Sequence, residues 1–322
     1  MNEYLHGLTE EQLNAILSEL GATKESLEKD VNNLKKWMEK QSHLPNVADE
    51  VFLANFLLRC KNSVEKTKKK LNSYYANRTL MSDIFLNRDP ASEDFEKYSK
   101  LINFIVLPKL TADGDRVCIF KIFKAIKSSE LKAEKFFEAL TICMDVGLKI
   151  DRYRSMIIIY DMENATMALG AILFAIANKI STFSTEAYPI RYRKFYVLNL
   201  IPSFESFLTI ATNFVKKKLS DRIEVWTREP KDLIEVLSKS ILPSDYGGNE
   251  KSCIELNGIE RTGYVIFQIQ LWINYIKQFH DWIESEKSLR ADLKKKSDDS
   301  SSISGIIGEY GVEGSFRKIN ID

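Results

Sequence analysis

Apolar residues in the N-terminal part of the chain recur at helical spacing. Leu27, Val31, Leu34 and Met38 follow at intervals of four, three and four, the stripe that an amphipathic helix turns toward a core. Upstream, Thr9 stands three residues before Gln12, a capping-box pair that predicts a helix start, and His43-Leu44-Pro45 predicts a stop. Phe52, Leu53, Phe56 and Leu57 mark a third helix, and Val64, Leu71, Tyr74 and Tyr75 a fourth. Lys66, Lys68, Lys69 and Lys70 fall between the apolar positions of that fourth helix, as either a solvated face or a docking surface.

The pattern changes after Asp89-Pro90. Asp113-Gly114-Asp115 signals a turn and Val117 to Phe123 a β-rich run. Phe136, Phe137, Leu140, Met144 and Leu148 form a helical stripe, and Met156 to Tyr160 suits a strand buried on both faces. An apolar helix over 167–180, a strand over 195–201, a helix over 203–219 and a strand over 223–226 follow. Strands alternating with helices imply right-handed crossovers and a largely parallel sheet. Beyond Tyr246-Gly247-Gly248, Ile266, Ile269, Ile273, Ile276 and Phe279 lie near helical spacing, and Lys294 to Ser302 reads as a linker. The expected class is α/β, with a helical module over 1–95, an α/β domain over 96–255, and a helix and tail over 256–322.

Composition narrows the function classes. A formal net charge of +1 gives no global attraction to nucleic acid, so any basic surface is a local patch. Cys60, Cys118, Cys143 and Cys253 form no CxxC pair and no signal-like N-terminus is present, which points to a reduced cytosolic setting. The most apolar stretch, Met167 to Ile180, falls short of the roughly 20 residues of a membrane span, so bilayer contact would be peripheral.

Catalytic chemistry finds little support. His6, His43 and His280 sit in different elements with no companion at metal-ligand spacing, and no zinc site is expected. GxGxxG, GxxxxGKS/T and GxSxG are absent, and Gly247-Gly248 reads as a turn. Asp161 ends a strand, where open α/β sheets place ligands, but Met162-Glu163-Asn164 after it favour a capping role. No catalytic residue, metal or cofactor is expected.

The segment 188–226 is more informative. Phe204, Phe207, Leu208, Ile210, Ala211, Phe214 and Val215 occupy more than half of a helical wheel, so the helix either belongs to a core or covers an apolar cavity. Arg191, Arg193 and Lys194 precede the strand before it, while Lys216, Lys217, Lys218 and Arg222 follow. If strand and helix pack antiparallel, these seven cations share one neighbourhood with Asp221 and Glu224 as the carboxylates near in sequence. Such a patch gains about 1 kcal/mol per basic residue at an anionic leaflet. The helix macrodipole accounts for the lysines at the helix end but not for the arginines before the strand.

Tyr188-Pro189-Ile190-Arg191, Asn199 with Pro202, Lys218 through Arg222-Ile223, and Leu242 to Gly248 resemble the CRAL-TRIO lipid-transfer family. Phe52-Leu53, Phe56-Leu57, Tyr74-Tyr75 and Asn87-Arg88-Asp89-Pro90 are similar to that family's N-terminal helical module, and Gly314 to Asp322 to the ending of insect members. The resemblance spans nearly the whole chain. It implies a non-enzymatic carrier whose sheet floors a hydrophobic pocket and whose helix 203–219 is a mobile gate. Lipid contacts would fall on Met156, Tyr160, Ile180, Phe183, Tyr188, Ile190 and Phe195. The inward side of the gate would add Phe204, Phe207, Leu208, Ala211 and Phe214. Phosphoinositide contacts would fall on Arg191, Arg193, Lys218 and Arg222.

One departure stands out: Leu58-Arg59-Cys60-Lys61 puts Cys60 at an expected arginine, leaving Arg59 or Lys61 as substitutes. The implied partners are a hydrophobic small molecule and an anionic membrane surface, with the protein a cytoplasmic monomer that visits membranes. Retinoids, carotenoids, tocopherol-like chromanols, sterol-like molecules and phospholipids all suit an apolar wall. Tyr160, Tyr188, Ser181 and Ser184 are either head-group donors or ordinary structural hydrogen bonders. The alternative from another class is a membrane-recruited lipid sensor that binds a protein partner.

Overall fold

A computed structural model describes residues 5–47, 49–101, 103–171, 179, 183–201, 204–205, 208–209, 212, 217–256, 259–262, 265–268 and 271–295. Six helices come first: α1 (Glu10–Glu19), α2 (Lys24–Glu39), α3 (Glu50–Arg59), α4 (Val64–Leu80), α5 (Ser82–Phe85) and α6 (Glu93–Leu101). Their starts are set by local chemistry. Thr9 Oγ1 accepts from Gln12 N at 3.1 Å while Gln12 Oε1 accepts from Thr9 N at 3.1 Å, the reciprocal capping box expected. Thr23, Asp49 and Ser63 cap α2, α3 and α4 through their side-chain oxygens. Leu27, Val31, Leu34 and Met38 of α2 are buried against Phe52, Leu53, Phe56 and Leu57 of α3 in one cluster with Leu71, Tyr74 and Tyr75 of α4.

The sheet runs in chain order: β1 (Asn103–Val106), β2 (Arg116–Lys121), β3 (Met156–Asp161), β4 (Tyr192–Leu198) and β5 (Ile223–Val225). β1 is antiparallel to β2, and β2 through β5 are parallel. Parallel neighbours added in one direction by right-handed crossovers keep their connections on one sheet face, and α7 (Ala133–Ile150) is the first of these. Side chains alternate between faces. Val117, Ile119, Ile157, Ile159, Tyr196 and Leu198 point away from α7 into a cluster with Trp226, Leu233, Leu237, Leu242 and Tyr246. Phe104, Cys118, Phe120, Met156, Ile158 and Tyr160 point toward α7.

The turn at Gly247-Gly248 closes the chain over the first of these faces. Gly247 has φ +78°, and a Cβ on Gly248 would lie 1.8 Å from the Leu242 carbonyl oxygen, so neither position tolerates a side chain. Three expectations change. β1 was not anticipated, because four residues ending in Phe-Ile-Val carry too little periodicity to separate them from α6. The strand expected over 195–201 lies instead at Tyr192–Leu198, starting within the basic run Arg191 to Lys194. The helix expected through Ile266 gives way to a hairpin, β6 (Ile259–Thr262) and β7 (Val265–Gln268), before helices Leu271–Lys277 and His280–Glu286. Val265, Ile266 and Phe267 are β-branched or aromatic, which favours strand over helix in a short run. Of the apolar helix at 167–180, residues 167–171 and 179 are described, and all are helical. No helix among the described residues is long and apolar enough to cross a membrane.

Candidate functional site

Between the sheet and α7 lies an apolar cavity of about 90 Å³. Phe104, Val106, Cys118, Phe120, Met156, Ile158 and Tyr160 line it from the sheet, and Phe137, Leu140, Cys143 and Met144 from α7. Phe183, Tyr188 and Ile190, from the turn leading into β4, close one side. A row of aromatic rings crosses the strands on this face. Phe104 and Phe120 are 4.8 Å apart between centroids, Phe120 and Tyr160 5.1 Å, and Tyr160 and Phe195 6.5 Å with planes 8° apart. Burial pushes the phenols of Tyr153 and Tyr160, both in the wall, up to about 12.

The wall's arginine–carboxylate pair is already committed. Arg116 spends all five N–H donors within the protein. Nε and Nη2 reach Asp151 at 2.9 and 2.8 Å, Nη1 reaches the Leu107 and Pro108 carbonyls, and Nη2 also reaches the His6 carbonyl. Asp145 does the same below the 183–188 turn. It is fully buried and accepts from Tyr74 Oη at 2.8 Å, Arg78 Nη2 at 2.7 Å, Arg88 Nη1 at 2.5 Å and Tyr188 Oη. Burial opposes its ionisation, but the guanidinium charges of Arg78 and Arg88 outweigh that and hold the carboxyl below its usual range. Tyr188 therefore offers a ring to the cavity, while its hydroxyl is bound to Asp145 and is not free for a head group.

Beside the cavity, on the outer surface, two basic depressions of about 360 and 630 Å³ adjoin. Lys61, Lys70, Ile190, Arg191 and Lys218 line both. The larger adds Arg154, Arg193 and Arg222, and the smaller adds Lys66 and Lys69 of α4. The four expected phosphoinositide residues, Arg191, Arg193, Lys218 and Arg222, thus stand around one crevice. They are not equivalent. Arg193 is paired with Asp113 at 2.7 Å and with Asp115, and Arg191 faces Glu19 at 4.0 Å. Among the described residues Lys218 and Arg222 meet no carboxylate. Glu186 lines the smaller depression, the acids that pair with the crevice arginines, Glu19, Asp113 and Asp115, are remote in sequence, and Glu224 is drawn off by Lys194 at 2.7 Å.

The question left by Cys60 is answered by geometry. Arg59 is buried, donates to the Gly147 and Asp151 carbonyls, stacks 4.1 Å over Tyr153, and lines both the apolar cavity and the smaller depression. Lys61 lines the smaller depression beside it and is the one of the two that also lines the larger. Arg191, partial burial, Lys218, Lys66 and Arg222 together push its ammonium pKa down. Cys60 itself is a buried thiol raised by desolvation.

The remaining expected contacts divide. Met156, Tyr160, Phe183, Tyr188 and Ile190 share the cavity wall, and Phe195 stacks on Tyr160 next to it. Phe204 is instead buried in a cluster with Phe95, Trp272 and Ile273, and Leu208 is half-buried on a helical residue. Ile180, Phe207, Ala211 and Phe214, together with Ser181 and Lys216, lie outside the described residues. Asp161 is an anchor: it accepts from Lys121 Nζ at 2.5 Å, Asn199 Nδ2 at 2.7 Å and Tyr246 Oη at 2.8 Å. Asn199 takes the left-handed backbone (φ 53°) that asparagine tolerates best among larger residues. His280 does gain companions, since Asp89 and Glu284 place ligand atoms within 4.8 Å of one another around it. The trio is partly exposed, and ion pairs to Asp89 (3.6 Å) and Asp281 (3.0 Å) account for the ring's setting. Arg154 was not expected at the crevice, whereas Lys61 was expected as one of two substitutes for the missing arginine and Lys66 and Lys69 as part of either a solvated face or a docking surface. For the α4 lysines the signal was their spacing, one helix face at i, i+3 and i+4.

These features define a class: a helical module joined to an α/β domain whose sheet and covering helix enclose an apolar cavity. Residues 23–95 match the family model described as Pinta-like, UBA domain, and residues 103–248 match the CRAL/TRIO domain. The chain belongs to the CRAL/TRIO family, whose members bind and transfer lipids and are generally not enzymes. Alpha-tocopherol transfer protein-like proteins of Pongo abelii and Homo sapiens are each 24% identical over 249 residues, covering 76% of this chain and 72% of theirs. The Mus musculus counterpart is 23% identical over 248 residues, again covering 76% and 72%. The crystal structure of Sfh5 matches with TM-score 0.46 and 13% identity, over 85% of this chain and 98% of that one.

Proposed function

We propose that the protein carries one uncharged hydrophobic molecule in the cavity between the sheet and α7, and that contact of the basic crevice with an anionic membrane governs loading and release. The observation that carries this reading is Ile190, which lines the apolar cavity and both basic depressions. Ile190, with Arg59 toward the smaller depression and Tyr192 toward the larger, thus stands between a lipid-like compartment and an anion-attracting surface. An uncharged cargo is supported by a mostly apolar wall whose Arg116–Asp151 pair is satisfied internally and whose other cation, Arg59, already donates to the Gly147 and Asp151 carbonyls. The row of aromatic rings suits a flat, unsaturated or ring-bearing molecule such as a retinoid, carotenoid or tocopherol-like chromanol.

At about 90 Å³ the cavity lies below the roughly 300–1,000 Å³ of small-molecule sites, so loading requires it to widen. The segment 203–219, whose sequence predicts a helix, is the element we assign to that opening. Lys61, Lys218 and Arg222, free of carboxylate partners, supply the membrane attraction at about 1 kcal/mol per residue. Phosphoinositides are the headgroups we assign to them. Native mass spectrometry with solvent extraction of the purified protein tests the reading. A stoichiometric uncharged lipid is expected, and a protein that neither retains such a lipid nor takes one up from vesicles sinks it.

A further inference from the structure

α4 lends the smaller depression a basic face that lies apart from the four residues assigned to phosphoinositide above. Lys66, Lys69, Lys70 and Ser73 follow at i, i+3, i+4 and i+7, so they share one side of the helix, and all four line the smaller depression. Lys66 and Lys69 are exposed, and among the described residues neither meets a carboxylate. Lys68, one position off this face, is drawn to Glu65 at 2.7 Å and lies 5.7 Å from the Trp37 ring. The helix therefore sorts its lysines: one is neutralised by an acid of the same helix, and two are left open toward the depression. Glu186 is the single acidic residue in the lining.

The two depressions are lobes of one crevice joined by a saddle of Lys61, Arg191 and Lys218. Arg193 and Arg222 belong to the larger lobe only, Lys66 and Lys69 to the smaller only. We propose that the α4 lobe is a second anion site, taking the phosphate of a lipid headgroup adjacent to the one held in the Arg222 lobe. The inference rests on the membrane-docking reading and adds to it: the protein engages two neighbouring headgroups and so responds to their density in the leaflet. Like charges gathered at Lys61, Arg191, Lys66 and Lys218 repel in the absence of anions, and two phosphates relieve that repulsion more fully than one.

The test is binding of the full chain to phosphatidylcholine vesicles containing phosphatidic acid at a series of mole fractions. Wild type is expected to bind more steeply than first order in the anionic fraction. Lys66→Ala/Lys69→Ala should weaken binding about 30-fold, roughly fivefold per lysine, and reduce the dependence toward first order. Lys66→Arg/Lys69→Arg should restore it. Lys68→Ala removes the same kind of charge off the face and should bind as wild type, with Arg222→Ala reporting the other lobe. If Lys66→Ala/Lys69→Ala binds as wild type while Arg222→Ala fails, the second site is wrong and the docking reading stands. Equal losses in Lys68→Ala and Lys66→Ala reduce the effect to net charge and also overturn the site. If wild type ignores these vesicles, the docking reading itself falls.

Discussion

Lys61 sits where glycine would cost less. α3 ends in a Schellman arrangement: Asn62 N donates to the Leu57 carbonyl at 2.8 Å and Lys61 N to the Leu58 carbonyl at 3.0 Å. The residue after the cap takes φ +59°, usually a glycine position, and a side chain there costs about 1 kcal/mol or more. Its ammonium then projects into the basic crevice, so backbone strain and charge repulsion meet at one residue. Lys61→Gly should raise unfolding free energy by up to about 1 kcal/mol in urea titration while weakening binding to anionic vesicles. A variant that gained stability and kept full binding would remove Lys61 from the docking surface. The sequence pointed here only through the missing arginine at Cys60. Which neighbour replaced it depended on how α3 terminates, and a C-cap that lacks glycine gives no local signal.

Elements are joined by buried polar clusters whose members come from the stretches that carry the family resemblance. Tyr74 and Arg78 of α4, Arg88 of the Asn87–Pro90 stretch, Asp145 of α7 and Tyr188 all meet at one carboxylate, with Glu286 adding an ion pair to Arg78 at 3.2 Å. Asn199 and Tyr246 meet likewise at Asp161. Those stretches were legible as a pattern, but their role as joints was not, because pairing across 38 to 208 positions follows from topology and not from spacing. The caps and apolar stripes of α1 to α4 were legible because each is set within a few residues. β1 and the β6–β7 hairpin were not, since four-residue strands draw their stability from partners elsewhere.

Asp145→Asn leaves Arg88 buried without a counter-charge and Arg78 with Glu286 alone, and should cost about 3–5 kcal/mol. The pH dependence has a definite sign. Asp145 is more acidic folded than unfolded, so its contribution is complete above the unfolded value of 3.8 and is lost as pH falls through the folded one. Glu286, raised chiefly by burial, acts in the opposite sense, its contribution fading as pH rises through its folded value. Thermal melts between pH 2 and pH 7 should show a steeper acid loss in wild type than in Asp145→Asn. Parallel curves would mean the carboxylate is not ionised in the folded protein.

At the scale of the whole molecule, the crevice and the cavity share more than the Ile190 side chain. Lys70, in the lining of both lobes, donates to the Tyr188 carbonyl at 2.9 Å and to the Thr185 carbonyl. That turn presents Phe183 and Tyr188 to the cavity, where Phe183 packs 4.6 Å from Tyr188 and 5.4 Å from Phe137. A phosphate in the crevice competes with those carbonyls for the Lys70 ammonium, and charge-assisted hydrogen bonds are among the stronger ones. Anion binding then withdraws a restraint from the cavity wall without touching the cargo. Lys70→Met keeps the aliphatic stem and removes the restraint permanently. It should speed spontaneous loss of a bound fluorescent lipid about fivefold and shrink the further acceleration by anionic vesicles, a coupling within the usual 1–3 kcal/mol. Stopped-flow transfer to neutral and anionic acceptor vesicles measures both rates. An unchanged basal rate with full vesicle stimulation would show that the wall opens by another route, through the side chains that line both compartments, Arg59, Ile190 and Tyr192.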